Sequence, residues 1–343
     1  MTTFNQEFDR ELARLLLEIC RYTYAASFLK HEQNDENSKD AKDALDWINK
    51  AGNPKEPRLI DDGKGADSTS VACVISFPDK NIVSYMGTKT EFNDAKNAQQ
   101  SIEDWAKNAE FVMVDFNMTK KQLGLSDSDE KVALGGRAHE GFLKELCAVQ
   151  EKIIAELGEN GGKERPLYIT GHSQGGAEAA LATRAFLAGG FDVKATYTYA
   201  APRSANKAVA DSIPKEFPLH RIEFGNDIVP HVPTTRITHK ITIAAINFLS
   251  KIGLPSQYIK ALDTKFNFVG IVRLCYGNND TKTLRVDLTS EQEEILFKSR
   301  IKDLATHPQD LAEHHHLAGT TAEVKAEKKG NYTALVSEFS MVG

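Results

Sequence analysis

The stretch Pro166-Leu167-Tyr168-Ile169-Thr170-Gly171-His172-Ser173-Gln174-Gly175-Gly176-Ala177 constrains this chain more than any other. A short apolar run with strand character ends in Gly-His-Ser-Gln-Gly. It passes straight into Ala177-Glu178-Ala179-Ala180-Leu181-Ala182-Thr183-Arg184, a strong helix former. The pattern is strand, sharp turn and helix, with Ser173 at the apex. A serine held on such a turn stands clear of the backbone, where its hydroxyl can meet a substrate carbonyl. Gly171 and Gly175 remove Cβ atoms that would clash where strand and helix approach. A lone Gly-x-Ser-x-Gly pentamer is a frequent accident; the strand before it and the helix after it give it weight.

The flanking pattern extends this unit into an α/β chain. Apolar residues Leu12, Leu15, Leu16, Ile19, Cys20 and Tyr24 recur at helical spacing between Phe8 and Phe28. Residues 31 to 40 are polar and read as a loop, followed by a short helix around Ala41 to Ala51. Ser70–Phe77 and Asn81–Met86 flank Pro78-Asp79-Lys80 as a hairpin. Glu110–Phe116 reads as strand or buried turn, residues 119 to 131 as a loop, and Leu143–Leu157 as a long helix. Strands are expected at Val193–Tyr199 and Leu219–Phe224, with a helix at Ala205–Ser212 between them. Beyond Pro233 come the apolar pieces Ile241–Leu249 and Tyr258–Leu262 and a second hairpin, Phe268–Tyr276 with Lys282–Leu288. A helix over 290 to 305, a His-rich loop at 310–317 and a closing helix from Asn331 follow. Strands alternating with helices through the centre predict a mostly parallel sheet flanked by helices. Catalytic groups on such sheets sit at the carboxyl ends of strands. Gly87-Thr88, Ser173 and Asp227 all occupy that kind of position.

With 343 residues, 41% apolar and 26% charged, the chain has the composition of a globular protein, and the absence of repeats or low-complexity linkers favours one domain. A net charge of −6 with no basic run argues against a nucleic-acid partner. No stretch reaches the roughly 18 apolar residues of a membrane span. Met1–Arg10 lacks the basic start and apolar core of a signal peptide. The expected location is therefore the cytoplasm, or the outside by a route without an N-terminal signal, unless the chain begins after processing. Cys20, Cys73, Cys147 and Cys275 show no metal-ligand spacing; reduced thiols are expected, although four cysteines could form two bridges.

A serine hydroxyl is a weak nucleophile and needs a base, usually a histidine oriented by a carboxylate. On a nucleophile turn of this kind the chain order is Ser, then Asp or Glu, then His. Asp227 is the best-placed carboxylate, following a strand in Gly225-Asn226-Asp227-Ile228-Val229-Pro230. His231 and His239 lie too close to Asp227 in sequence for a strand to carry them back to Ser173. His307 and the triplet His314-His315-His316 lie in the last loop before the final helix, where the base belongs; the triplet also suits a metal tract or a solvated loop. An oxyanion needs two aimed donors. The N–H of Gln174, at a helix N-terminus, is one; Thr88, after Gly87, is the other.

The chain resembles the class 3 lipases, the family of filamentous-fungal triacylglycerol lipases and bacterial relatives. The resemblance is carried by Ile82–Thr88, Asp104-Trp105, His139-Glu140-Gly141-Phe142, Gly171–Ala177, Ala201-Pro202-Arg203, Gly225–Pro230 and Val269-Gly270, in family order. It implies an α/β-hydrolase fold: a single domain over 1–343, with N-terminal helices over about 1–60, a core over about 68–343 and a candidate lid over about 89–105. It implies Ser173, Asp227 and His315 as the catalytic residues, and Thr88 and Gln174 as the oxyanion residues. His315 is reached by setting Leu317 in the last place of the closing Asp-His-x-Leu motif; His314 is the neighbouring option. It implies hydrolysis of lipid esters, triacylglycerols first, with no cofactor and no metal. Esterases for short or aromatic acyl groups and phospholipases A1 use the same machinery, and a non-catalytic interaction module is the reading from a different class.

The sequence departs from the family at three places. Met86 stands where the family usually has Arg, and Gln174 where it has Leu. Residues 90–101 are longer than usual, an enlarged lid or an ordinary surface loop. The apolar stretch Ile241–Leu262 either packs or faces an acyl chain or lipid.

Overall fold

In the computed structural model, residues 7–30, 35–65, 68–88, 112–227, 229–231, 274–278, 282–289, 291–293, 295–296, 298–300, 314–315 and 332–342 are described. The candidate lid at 89–105, the segment 241–262, and His239, His307 and His316 lie outside them.

The elements in chain order are α1 (Arg10–Leu29), α2 (Asp35–Ala51), β1 (Arg58–Asp61), β2 (Val71–Ser76), β3 (Asn81–Tyr85), β4 (Met113–Thr119), β5 (Lys131–His139), α3 (Glu140–Gly158), β6 (Leu167–His172), α4 (Gln174–Ala188), β7 (Val193–Tyr199), α5 (Lys207–Asp211), β8 (Leu219–Phe224), β9 (Leu274–Asn278), β10 (Thr283–Leu288), α6 (Tyr332–Glu338) and β11 (Ser340–Val342). Nine of the described strands form one sheet in the order β1-β2-β3-β6-β7-β8-β9-β10-β11. Its centre, β3-β6-β7-β8-β9, is parallel, and the hairpins β2-β3 and β9-β10 turn it antiparallel towards each edge. This is the mostly parallel, helix-flanked sheet that the alternating pattern predicts.

Both faces of the sheet are covered, so β2, β3 and β8 are buried along their whole length. Side chains alternate between two cores. Ala72, Val74, Val83, Tyr85, Leu167 and Ile169 point into one, with Leu146, Val149 and Ile153 of α3 and Leu181 and Ala185 of α4. Cys73, Ile75, Ile82, Tyr197 and Tyr199 point into the other, with Leu16 and Ile19 of α1, Ile48 of α2 and Leu335 of α6. Helix α1 starts where the Asp9 carboxylate accepts the Leu12 N–H at 3.0 Å, satisfying one of the orphan donors of the first turn. Glu18 of α1 is buried with Arg14 at 2.5 Å and Arg21 at 2.7 Å.

Several elements differ from the sequence reading. Helix α2 begins at Asp35, six residues before Ala41. Its buried stripe Ala41, Ala44 and Ile48 anchors it, and extending a helix from a packed nucleus requires no apolar residue. Strand β5 has no clear strand pattern because Gly135 and Gly136 interrupt it; both have positive φ, 84° and 74°, and the β4-β5 register shifts between Asp115 and Asn117. Glycines inside a strand mark this kind of irregularity. A Cβ on Gly136 would lie 2.6 Å from the Asn206 side-chain oxygen, so α5 can seat there. That helix spans Lys207–Asp211, with Asn206 as its cap and Ala205 bridging Ala138. Finally, the short strands β1 and β11 carry no alternation strong enough to see, and His314 and His315 are helical where a loop is expected.

Candidate active site

Strand β6 ends at His172 and α4 begins at Gln174, leaving Ser173 alone between them at φ 55° and ψ −129°. A non-glycine residue in that region is strained by about 1–3 kcal/mol and persists only where its surroundings impose it. They do so here. A Cβ on Gly171 would lie 2.2 Å from the Gly175 carbonyl oxygen, and one on Gly175 would lie 2.1 Å from the Tyr85 oxygen. Strand, helix and β3 therefore meet closer than any side chain allows. The Ser173 N–H donates to Tyr199 O at 2.9 Å, and the Ser173 carbonyl accepts from the Gly176 N–H at 2.9 Å. The hydroxyl is left at the carboxyl end of the sheet.

Two segments far along the chain converge on it. His315 Nε2 is 2.9 Å from Ser173 Oγ, and His315 Nδ1 is 3.1 and 3.0 Å from the two carboxylate oxygens of Asp227. All three side chains are nearly enclosed: Ser173 is 9% exposed, His315 1% and Asp227 0%. A carboxylate on Nδ1 requires a proton there, which leaves the Nε2 lone pair facing the serine hydroxyl. Asp227 also accepts from Tyr332 Oη at 2.8 Å and from the Val229 N–H at 3.0 Å. Burial first, then the Asp227 charge, holds the Tyr332 phenol well above its ordinary pKa, so it stays a donor. His314 is turned away: its Nδ1 accepts the Asn226 N–H at 2.8 Å and its ring stands edge-on to Phe224. The structure thus brings together Ser173, Asp227 and His315.

Thr88 and Gln174 also meet. Thr88 follows β3, and its hydroxyl donates to Gln174 Oε1 at 2.9 Å. Gln174 is the first residue of α4, so its own N–H has no intrahelical partner and sits at the positive end of the helix dipole. Gly87, between strand and Thr88, packs where a Cβ would lie 2.1 Å from Tyr24 Oη. The Tyr24 hydroxyl is 3.2 Å from His172 Nδ1, and His172 Nε2 is 2.8 Å from the His315 carbonyl. The carbonyl can only accept, so Nε2 carries the proton and Nδ1 accepts from tyrosine. Helix α1 thereby braces the backbone of His315, a role invisible in the sequence.

A buried charge cluster that no sequence motif marks lies beside the Asp227 loop. Glu223 Oε2 is 2.8 Å from Arg300 Nη1 and 2.9 Å from His231 Nε2, and its Oε1 is 3.2 Å from Arg221 Nε. Burial opposes the Glu223 charge, but His231, which also hydrogen-bonds it, and the Arg300 and Arg221 guanidiniums together outweigh burial and hold the carboxyl well below its usual range. The cluster clamps the loop: Arg300 Nη1 donates to Asp227 O at 3.1 Å, Arg221 to Pro230 O and Arg203 to His231 O. Arg203 also pairs with Glu293 at 2.9 Å. Burial among these cations pushes His231 down to about 4, so it is neutral here.

His139, in the His-x-Gly-Phe segment, caps α3 and accepts the Phe142 N–H at 3.4 Å. Burial pushes its imidazole from an ordinary 6.5 down to about 4, with the Glu140 carboxylate opposing. The unfolded chain therefore takes up this proton first, and stability is lost as pH falls from 6.5 towards 4, by about 3 kcal/mol at most. His139→Asn keeps a capping side chain and removes the titration. Its urea midpoint is expected to fall less than the wild type's between pH 7 and 4.5; equal falls would show that His139 titrates freely.

Among the described residues no group of three or more His, Cys, Asp or Glu side chains is arranged to hold a metal ion, and no helix is long and apolar enough to cross a membrane. All four cysteines are free thiols, and burial pushes Cys20 and Cys73 up to about 12 and Cys147 to about 11. A groove of about 920 Å³ lies at the other end of the sheet, lined among others by Asp9, Trp47, Lys50, Tyr168 and Lys194. It belongs to the amino ends of the strands, away from Ser173.

The parallel sheet and the serine on its strand–helix turn are those of the α/β-hydrolase fold. Residues 95–237 match the family model for lipase (class 3), in line with the resemblance read from the motifs. The secreted mono- and diacylglycerol lipase A of Penicillium cyclopium is 33% identical over 137 residues. That match covers 39% of this chain and 40% of the relative's length. The crystal structure of a mono- and diacylglycerol lipase from Aspergillus oryzae superposes with a TM-score of 0.52 at 20% identity, covering 79% of this chain and 81% of that one. A fungal lipase structure described for its unusual buried polar cluster superposes with a TM-score of 0.57 at 18% identity, covering 91% and 96%. At such identities these neighbours speak to the fold.

Proposed function

We propose that this protein is a serine carboxylic ester hydrolase acting on acylglycerols, with triacylglycerols as the leading substrate class. The observation that carries the proposal is the 2.9 Å contact of His315 Nε2 with Ser173 Oγ, with Nδ1 of the same ring on Asp227. In this reading His315 takes the Ser173 proton as Oγ attacks the ester carbonyl. Asp227 holds the imidazole in the tautomer required and stabilises the imidazolium. The N–H groups of Thr88 and Gln174 receive the oxyanion, each donor contributing about 3–4 kcal/mol to the transition state. Collapse releases the alcohol, protonated by His315, and leaves an acyl ester on Ser173. Water activated by the same histidine then releases the fatty acid. These steps need no cofactor. The names of the Penicillium and Aspergillus relatives support acylglycerols as the substrate class.

Fluorophosphonate labelling tests the site. One equivalent of probe is expected on the peptide carrying Ser173, and protection of Ser173 with labelling elsewhere would overturn the assignment. Substrate class is read by comparing short p-nitrophenyl esters with emulsified mono-, di- and triacylglycerols. Faster turnover of short soluble esters at every concentration would make it an esterase, and labelling without turnover of any ester an interaction module.

A further inference from the structure

The Gln174 amide joins the oxyanion end of the site to a pair of carboxyl groups. Its Oε1 accepts the Thr88 hydroxyl proton at 2.9 Å. Its Nε2 donates to Glu145 of α3 and, at 3.2 Å, to Glu178 one turn further along α4. Glu178 is 1% exposed and Gln174 7%. An amide has two N–H donors and one carbonyl. With both donors facing carboxyls, the carbonyl can only face Thr88, and the threonine hydroxyl must be the donor. Two carboxylates on one amide in a buried pocket repel each other, and such pairs keep one proton between them.

Resting on the proposed reading of Ser173 and His315, we infer that Gln174 is a positioning residue: the Glu145–Glu178 pair, holding one shared proton, orients its amide, and the amide orients Thr88 for the oxyanion. Loss of the shared proton (carboxylic acid to carboxylate plus a released proton) places a second buried negative charge behind the oxyanion donors and opposes the charge that develops there.

The surroundings favour the shared-proton state. Burial, then the Glu145 charge, holds the Glu178 carboxyl well above its usual range, and burial raises Glu145 as well. Glu145 faces Asp62, which raises it further, and Lys64, which opposes. Lys64 is largely engaged by Asp62 at 2.8 Å at the surface. Glu178 faces the Tyr85 and Tyr24 phenols, both held protonated by burial. A hydrogen bond between the Glu178 and Glu145 carboxyls raises Glu178 as well, and such a bond between two carboxyls needs a proton on one of them. The folded-state pKa of Glu178 lies above its unfolded value. This group's contribution to stability is thus fully present below about 4.5 and is lost as pH rises through the folded pKa.

The tests are kinetic and spectroscopic. In the wild type kcat should fall about 10-fold or more through one alkaline ionisation, with KM nearly constant. Glu178→Gln should lose that alkaline fall, and its Tm should gain on the wild type as pH rises. Gln174→Leu keeps the backbone N–H but not the tether to Thr88, and should lower kcat about 10-fold with KM unchanged. Infrared difference spectra of the wild type should show a protonated carboxylic acid at neutral pH that disappears over the same range as kcat and is missing in Glu178→Gln. A Glu178→Gln profile with an unchanged alkaline fall, a Gln174→Leu enzyme with wild-type kcat, or no acid band at neutral pH would each overturn the inference. Ser173→Ala run alongside separates the two levels: ester hydrolysis surviving in Ser173→Ala would defeat the reading of the site, whereas the acid band tests the carboxyl pair without any turnover.

Discussion

Ser173→Ala is expected to lower kcat/KM for an activated ester by about 10⁴- to 10⁶-fold. The size follows from the geometry. His315 Nε2 has Ser173 Oγ at 2.9 Å as the group whose proton it can remove. Without that oxygen, the remaining machinery can only bind substrate and polarise its carbonyl towards water. The substitution should leave the fold in place. Alanine tolerates φ 55° about as poorly as serine, so the turn strain is unchanged, and the lost hydrogen bond is worth about 1 kcal/mol. Initial rates on a p-nitrophenyl ester and a thermal melt on the same preparation check both halves. Activity within tenfold of wild type, in a preparation free of contaminating esterase, would sink the assignment of Ser173 as nucleophile.

Glu223→Ala is expected to cost about 3–5 kcal/mol of stability, an effect comparable with the whole margin of many domains. Glu223 is fully buried and bonded to Arg300, with Arg221 at its other oxygen. Removing it leaves two buried guanidiniums without their central anion. Because Arg300 and Arg221 also hold the carbonyls of Asp227 and Pro230, the loop that carries Asp227 should loosen as well. Ester hydrolysis should therefore fall even at temperatures where the variant stays folded. The urea midpoint measures the first effect and kcat on folded protein the second. The double variant Glu223→Met with Arg300→Met should recover part of the stability, since an absent pair costs less than a broken one. A loss below about 1 kcal/mol for Glu223→Ala would mean that Glu293 or solvent neutralises the arginines.

The two substitutions act on parts of the molecule that differ in how visibly they are written. Ser173 announces itself because a nucleophile turn is a local object: strand, two glycines and helix lie within a few residues. Asp227 is legible through its place after β8, and His315 only through the closing motif, because nothing local separates it from His314. What separates them is that Asn226 donates to one ring while Asp227 and Ser173 face the other. Strand β5 was hidden by Gly135 and Gly136, whose positive φ values serve a tertiary purpose, the seat of α5. Glu223, Arg221 and Arg300 read as ordinary strand and helix residues, since charged side chains normally face solvent.

By itself, then, the sequence determined the alternation of strands and helices, the serine turn, the carboxyl-end positions of Thr88, Ser173 and Asp227, and the class 3 lipase resemblance. Each rests on residue types and their order along the chain, which sequence records directly. The tertiary structure alone decided that Tyr24 braces His315 through His172, and that Gln174 hangs between Thr88 and two carboxyls. It also decided that three arginines are buried around one glutamate and its loop. These contacts join residues far apart in the chain. Their energies depend on burial and on direction, two quantities that a residue acquires only when the chain around it has folded.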